Sequence, residues 1–279
     1  MSRKSSKNTG DSMMPRSRAM LQMVRHDWDD FRKVCNRRWK SICKEVIPRN
    51  FSKKDILGSG YFGVVFQTSH EKLVMKITSD PDEGYFNQLV LTDPYLKTNP
   101  GLPYIFDCFA IPEWDAYVIL RENVYYGLGS LPKSSPLART IGPLDDFGEA
   151  TVRIEAKVAK MLEAVYAIDE RFTKSDFTLA FREAQGQIRS LIIKTLKTLP
   201  EVSTRSKYHP SMSVIRHALD KYGIALWDLH SGNLGRHKYN MRDLAPDAPP
   251  LDKDAILILD VGGNFGSPIM TDAIEDLEI

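Results

Sequence analysis

From Leu21 onward, apolar residues recur every three or four positions, at Val24, Trp28, Phe31, Cys35, Trp39, Ile42 and Val46, and draw one stripe along a helix that Pro48 ends. The opposite face carries Arg25, Asp29, Arg32, Arg37, Lys40 and Lys44. Docking on the rest of the chain through the tryptophans is the favoured reading of this helix, over a free helix that binds nucleic acid. Between residues 55 and 77 the pattern changes to short β-rich runs, 55–57, 64–66 and 73–77, which reads as a strand meander. A helix over 82–96 and strands over 104–110 and 116–120 complete a first lobe of five strands and one helix. The Gly/Ser/Pro stretch 125–136 reads as a crossing and loop. Helical segments follow at 144–172, 176–199 and 211–222. Two short strands, 233–236 and 256–260, close the chain around an irregular linker containing Pro246, Pro249 and Pro250. The expected class is α+β, with a small β-rich first lobe and a mainly helical second lobe.

Composition narrows the setting. The 279 residues are 42% hydrophobic and 27% charged, which excludes wholesale disorder. Three cysteines are too few for a disulfide framework, no signal peptide opens the chain, and no apolar run reaches the roughly 18 residues of a membrane span. A soluble protein of a reducing cytoplasm, with no membrane partner, is expected. The net charge of +2 conceals an asymmetry: the first fifty residues hold thirteen Lys or Arg against five Asp or Glu, and the remainder is acidic. The expected domains are a disordered basic arm (1–16), a helical extension (17–49), the first lobe (50–122), and the second lobe (123–279) with a helical insert and a short tail. A solvated arm is favoured over one that touches nucleic acid or an acidic partner.

Four segments carry candidate chemistry. Gly58-Ser59-Gly60-Tyr61-Phe62-Gly63-Val64-Val65 is a G-x-G-x-x-G-x-V set lying between two strands, whereas a dinucleotide site places the third glycine at the start of a helix. Its residues read as a hairpin lid over phosphates or as a plain glycine-rich turn. Lys76 lies inside an apolar strand, where a buried ammonium needs an anionic partner; snorkelling from an edge strand is the alternative. Asp228 and Asn233 stand five apart in a glycine-containing loop, the spacing that presents a carboxylate to a hydroxyl and an amide oxygen to a metal. Asp260 ends an apolar strand in Asp-x-Gly, where a second carboxylate suits magnesium. Each Asp taken alone is also a possible turn residue or cap.

In that order the segments resemble the protein-kinase-like superfamily over residues 55–262. The wording of 228–233, with Gly101-Leu102-Pro103-Tyr104-Ile105-Phe106-Asp107, is most similar to the early host-takeover serine/threonine protein kinases of podophages. The resemblance implies a two-lobe protein-kinase-like fold in which the glycine hairpin covers ATP and Lys76 holds its α- and β-phosphates. It implies Asp228 as catalytic base, Asn233 and Asp260 as magnesium ligands, and a hinge at Arg121-Glu122-Asn123, entered from Leu120, whose backbone meets adenine. Glu83 is either the helix-borne partner of Lys76 or a carboxylate placed for its helix dipole.

Departures matter as much. Trp227 stands where many protein kinases carry an Arg that clamps a phosphorylated loop. His230 replaces the Lys two positions after the catalytic Asp, as in aminoglycoside-phosphotransferase-like enzymes. Only seventeen residues follow Gly262. What the resemblance implies as function is transfer of the ATP γ-phosphate to host proteins, with the transcription machinery a candidate target, in the host cytoplasm. The alternatives are an inhibitor of pseudokinase type that acts by binding a host protein, and a small-molecule kinase.

Overall fold

In the computed structural model, which describes residues 15–50, 52–60, 62–127, 190, 193–194, 196–198, 201–226 and 233–259, the N-terminal stripe forms two helices, α1 (Pro15–His26) and α2 (Trp28–Arg38). Two expectations are corrected. The arm expected to lack structure through residue 16 is already helical at Pro15, whose fixed φ suits a first helical turn. The helix expected to run to Pro48 stops at Arg38, because Asn36 binds the backbone that follows. Its Oδ1 accepts from the N–H groups of Val46 and Ile47, both at 2.8 Å, and its Nδ2 donates to the Ile47 carbonyl at 3.1 Å.

The expected meander forms strands β1 (Ile56–Ser59), β2 (Gly63–Gln67) and β3 (Leu73–Thr78), and two further strands follow, β4 (Ile105–Ile111) and β5 (Ala116–Glu122). They make one antiparallel sheet in the order β1-β2-β3-β5-β4. The helix between β3 and β4 is two: α3 (Pro81–Thr92) and α4 (Pro94–Lys97), because Pro94 starts a new helix that Asp93 caps through the N–H groups of Tyr95 and Leu96. One face of the sheet, including Val64, Phe66, Met75, Ile77, Val118 and Leu120, is buried in a single apolar cluster with Met20, Leu21, Val24, Trp28, Phe31 and Trp39 of the extension. The extension is thus part of the core. Arg38 reinforces the join with two hydrogen bonds to Asp107 on β4, where Trp39 Nε1 also donates at 2.7 Å.

The chain divides into two compact units. The first takes in the described parts of Met1–Thr98, Pro103–Val124 and His237–Leu251, and the second those of Asn99–Leu102, Tyr125–Arg236 and Asp252–Ile279. The irregular linker expected in the second lobe therefore belongs to the first unit from His237 to Leu251. Met241, Ala245 and Ala248 enter its core. Asp247 accepts from Lys97 Nζ at 2.8 Å and from the Tyr104 hydroxyl at 2.7 Å, and Asp243 pairs with Lys72.

Within the second unit, helix α5 (His209–Tyr222) ends at Gly223, whose φ of +67° places it in the left-handed region a helix C-cap requires. Strands β6 (Val124–Tyr126), β7 (Leu234–His237) and β8 (Leu257–Ile258) form a three-stranded sheet in that order. β6 replaces the loop expected from residue 125. Gly101 lies so close to α5 that an added Cβ would sit 2.5 Å from the Pro210 backbone, and its carbonyl accepts from Ile258 N–H at 2.9 Å. The helices expected at 144–172 and over most of 176–199 lie outside the described residues. Among the described residues, no helix is long and apolar enough to cross a membrane.

Candidate active site

Lys76 sits in the middle of β3, whose six residues are all buried. An ammonium there pays a large desolvation cost unless a carboxylate meets it. Glu83 does so, with Lys76 Nζ 2.5 Å from Glu83 Oε1, and the two residues are 7% and 1% exposed. Three local features bring Glu83 there. Asp80 caps α3 by accepting from the N–H groups of Asp82 at 2.9 Å and Glu83 at 3.4 Å. Glu83 therefore lies in the first turn, where the dipole also favours a carboxylate. One turn position on, Gly84 lets α3 approach β5, because an added Cβ would lie 2.3 Å from the Tyr117 ring. Of the two readings of Glu83, the ion pair is realised, and the dipole position comes with it.

The glycine hairpin lies beside this pair. Register places Val65 of β2 opposite Lys76. A Cβ added to Gly63 would meet the Ile77 carbonyl at 2.6 Å and Lys76 Cε at 3.3 Å. Gly63 is thus glycine because the hairpin packs against the Ile77 carbonyl, with the lysine stem next to it. Gly58 and Gly60 differ, since an added Cβ at either would meet nothing within 4 Å. At both positions the Cβ site opens onto free space, so no packed neighbour demands glycine there. Ser59 ends β1 and is exposed. The hairpin is held by the Gly60 N–H to Gly63 carbonyl bond at 2.9 Å and by Ser79 N–H to the Phe62 carbonyl at 2.8 Å. Tyr61 lies outside the described residues.

Two residues read as nucleotide contacts have other partners here. Leu120 lies opposite Met75, not Lys76, and its side chain is buried in the cluster with the extension. Residues directly opposite in antiparallel strands share a face, so Leu120 points away from the face of Lys76, which Ile119 shares. Glu122 is fully buried, with its carboxylate 2.9 Å from His237 Nδ1 and accepting from Tyr104 N–H at 3.2 Å. Its own N–H donates to the Tyr104 carbonyl at 2.9 Å, and that of Asn123 to the Lys72 carbonyl at 2.8 Å. Neither donor is open to an adenine edge.

In the second unit, Asn233 is buried and immediately precedes β7, and its carbonyl accepts from Leu259 N–H at 2.8 Å. With Leu234 opposite Ile258, this pairing sets the backbone of Asn233 against the residue before Asp260. Asp228, His230 and Asp260 themselves lie outside the described residues. Among the described residues, no group of three or more His, Cys, Asp or Glu is gathered as a metal centre.

No protein-family profile matches the chain, and no curated protein does. Among solved structures, the apo form of a thermostable mutant of an aminoglycoside phosphotransferase aligns with 82% of this chain and 70% of its own, at 13% identity and a TM-score of 0.31. A likeness at that level fixes neither fold nor activity.

Proposed function

We propose that the chain is an ATP-dependent phosphotransferase of kinase-like architecture whose acceptor is a serine or threonine hydroxyl on a host protein. The observation that carries this reading is the buried Lys76–Glu83 pair directly beneath Gly63, in a hairpin whose other two glycines border open space. Glu83 meets the ammonium and fixes its position, and the lysine would hold the α- and β-phosphates of ATP under the hairpin. The donor types fit magnesium as well: Asn233 and Asp260 would supply an amide oxygen and a carboxylate, both hard ligands. The metal would neutralise phosphate charge, and Asp228 would orient the acceptor hydroxyl and take its proton. Of the nucleotide contacts read from sequence, Gly58, Ser59, Gly60, Phe62, Gly63, Val65 and Lys76 belong to this proposal, with Tyr61 included from the sequence alone.

His230 favours a second reading, in which the acceptor is a small molecule. Incubation with labelled ATP, magnesium and a host extract separates the two. Labelled protein bands support the first acceptor, and labelled metabolites the second. Asp228→Asn abolishes transfer in either case while ATP binding survives. A variant that transfers at the parental rate ends the phosphotransferase reading, and ATP binding without transfer in the parent leaves an inhibitor that acts by contact.

A further inference from the structure

Ser17, in the first turn of α1, is fully buried, and its Oγ lies 2.5 Å from the Gly60 carbonyl oxygen and 3.4 Å from that of Gly63. These are the two residues whose own backbone bond closes the glycine hairpin. A hydroxyl carries one proton, so the shorter contact to Gly60 takes the donor. Behind Ser17, Met20, Leu21 and Val24 are buried with Val64 and Phe66 of β2, so α1 cannot move off the hairpin without opening the core. A segment remote in sequence, forty-three residues before Gly60, thereby holds the lid at its tip. The opposite requirement acts on the same loop. Glycines leave it free to admit a phosphate, and that freedom makes ordering it costly at the moment of binding.

We propose that Ser17 is a positioning residue that anchors the tip of the glycine hairpin, so that the nucleotide meets a lid already ordered. This rests on the phosphotransferase reading for its consequence, though the tether itself does not. Ser17 is bonded to the hairpin rather than to the reacting groups, so its contribution falls on nucleotide affinity and leaves the transfer step alone.

Amide hydrogen exchange on the full chain without nucleotide tests the tether, and ATP kinetics test its consequence. In Ser17→Ala, exchange at the Gly60 amide rises about fivefold, the factor that one net hydrogen bond corresponds to, while amides at 20–24 of α1 stay within about twofold. Ser17→Thr, which keeps the hydroxyl, restores protection. The KM for ATP rises by a similar factor of about five in the alanine variant, with kcat within about twofold. Should Ser17→Ala unfold, Ser17→Cys keeps the volume, weakens the donor and carries the same expectation. Unchanged exchange at Gly60 overturns the proposal, as does a rise shared equally by all of α1. A matching loss of kcat at constant KM overturns it too. A chain that shows the exchange pattern yet transfers no phosphate keeps the tether and loses the phosphotransferase reading, so the two failures are told apart.

Discussion

At Lys76 the sequence places a charge in an apolar strand, and the structure answers it with Glu83 from another element. Both groups are out of water, so neither tolerates the loss of the other. Glu83→Ala leaves an uncompensated buried ammonium and destabilises the fold by about 3–5 kcal/mol. The double replacement Lys76→Met with Glu83→Leu removes both charges and is milder than Glu83→Ala alone. Urea denaturation measures both, and a double variant weaker than the single one would show that packing rather than charge governs the position. The cysteines illustrate the opposite case. Burial pushes the Cys108 thiol up to about 12, with the Glu83 and Asp107 charges adding to it, and raises Cys35 by the same first cause, then by Asp107. Both act as small core residues, as a disulfide-free chain suggests.

At the scale of elements, punctuation was readable wherever a residue acts on its own backbone. Asp80-Pro81 and Asp93-Pro94 start α3 and α4 by capping and by a fixed φ, and both signals stand in the sequence, though the single helix read over 82–96 passed over the second. The end of α2 was not readable, because Asn36 acts on Val46 and Ile47, ten and eleven residues away. The 237–251 segment is a similar case, tied to its unit by partners far off in sequence. Hydrogen bonds from Lys97, then Tyr104, hold the Asp247 carboxyl below the usual carboxylate range. A depressed folded value means the tie contributes above the unfolded pKa of about 3.9 and is lost as pH falls through the folded one. Asp247 is half exposed, so solvent screening limits the effect. Asp247→Asn lowers stability by at most about 1 kcal/mol at neutral pH, and its deficit against the parent closes as pH falls through the folded value. Urea midpoints across that range check it, and a deficit of equal size at acid pH would show that the tie is not ionic.

For the whole molecule, the basic extension changes meaning. Its charge invites a reading as an arm that reaches out, yet Met20, Leu21, Val24, Trp28, Phe31, Cys35, Trp39, Val46 and Ile47 are all buried. Losing one large core side chain costs about 2–5 kcal/mol, and a domain is stable by only about 5–15 kcal/mol. Deleting residues 1–49 therefore removes more than the fold can spare, and the truncated chain shows no cooperative thermal transition by circular dichroism. Melting at the parental temperature would return the extension to the role of an appendage. By itself, then, the sequence determined the mixed α and β class, the five strands with helix between the third and fourth, the glycine hairpin and the buried lysine. Those depend on period, propensity and neighbours within a few positions. Only the tertiary structure decided which face Leu120 shares, that Glu122 spends its hydrogen bonds on Tyr104 and His237, and that a serine from the first helix reaches the hairpin. Register and long-range contact are set by how elements pack, and no local pattern encodes which distant residue will arrive opposite a given one.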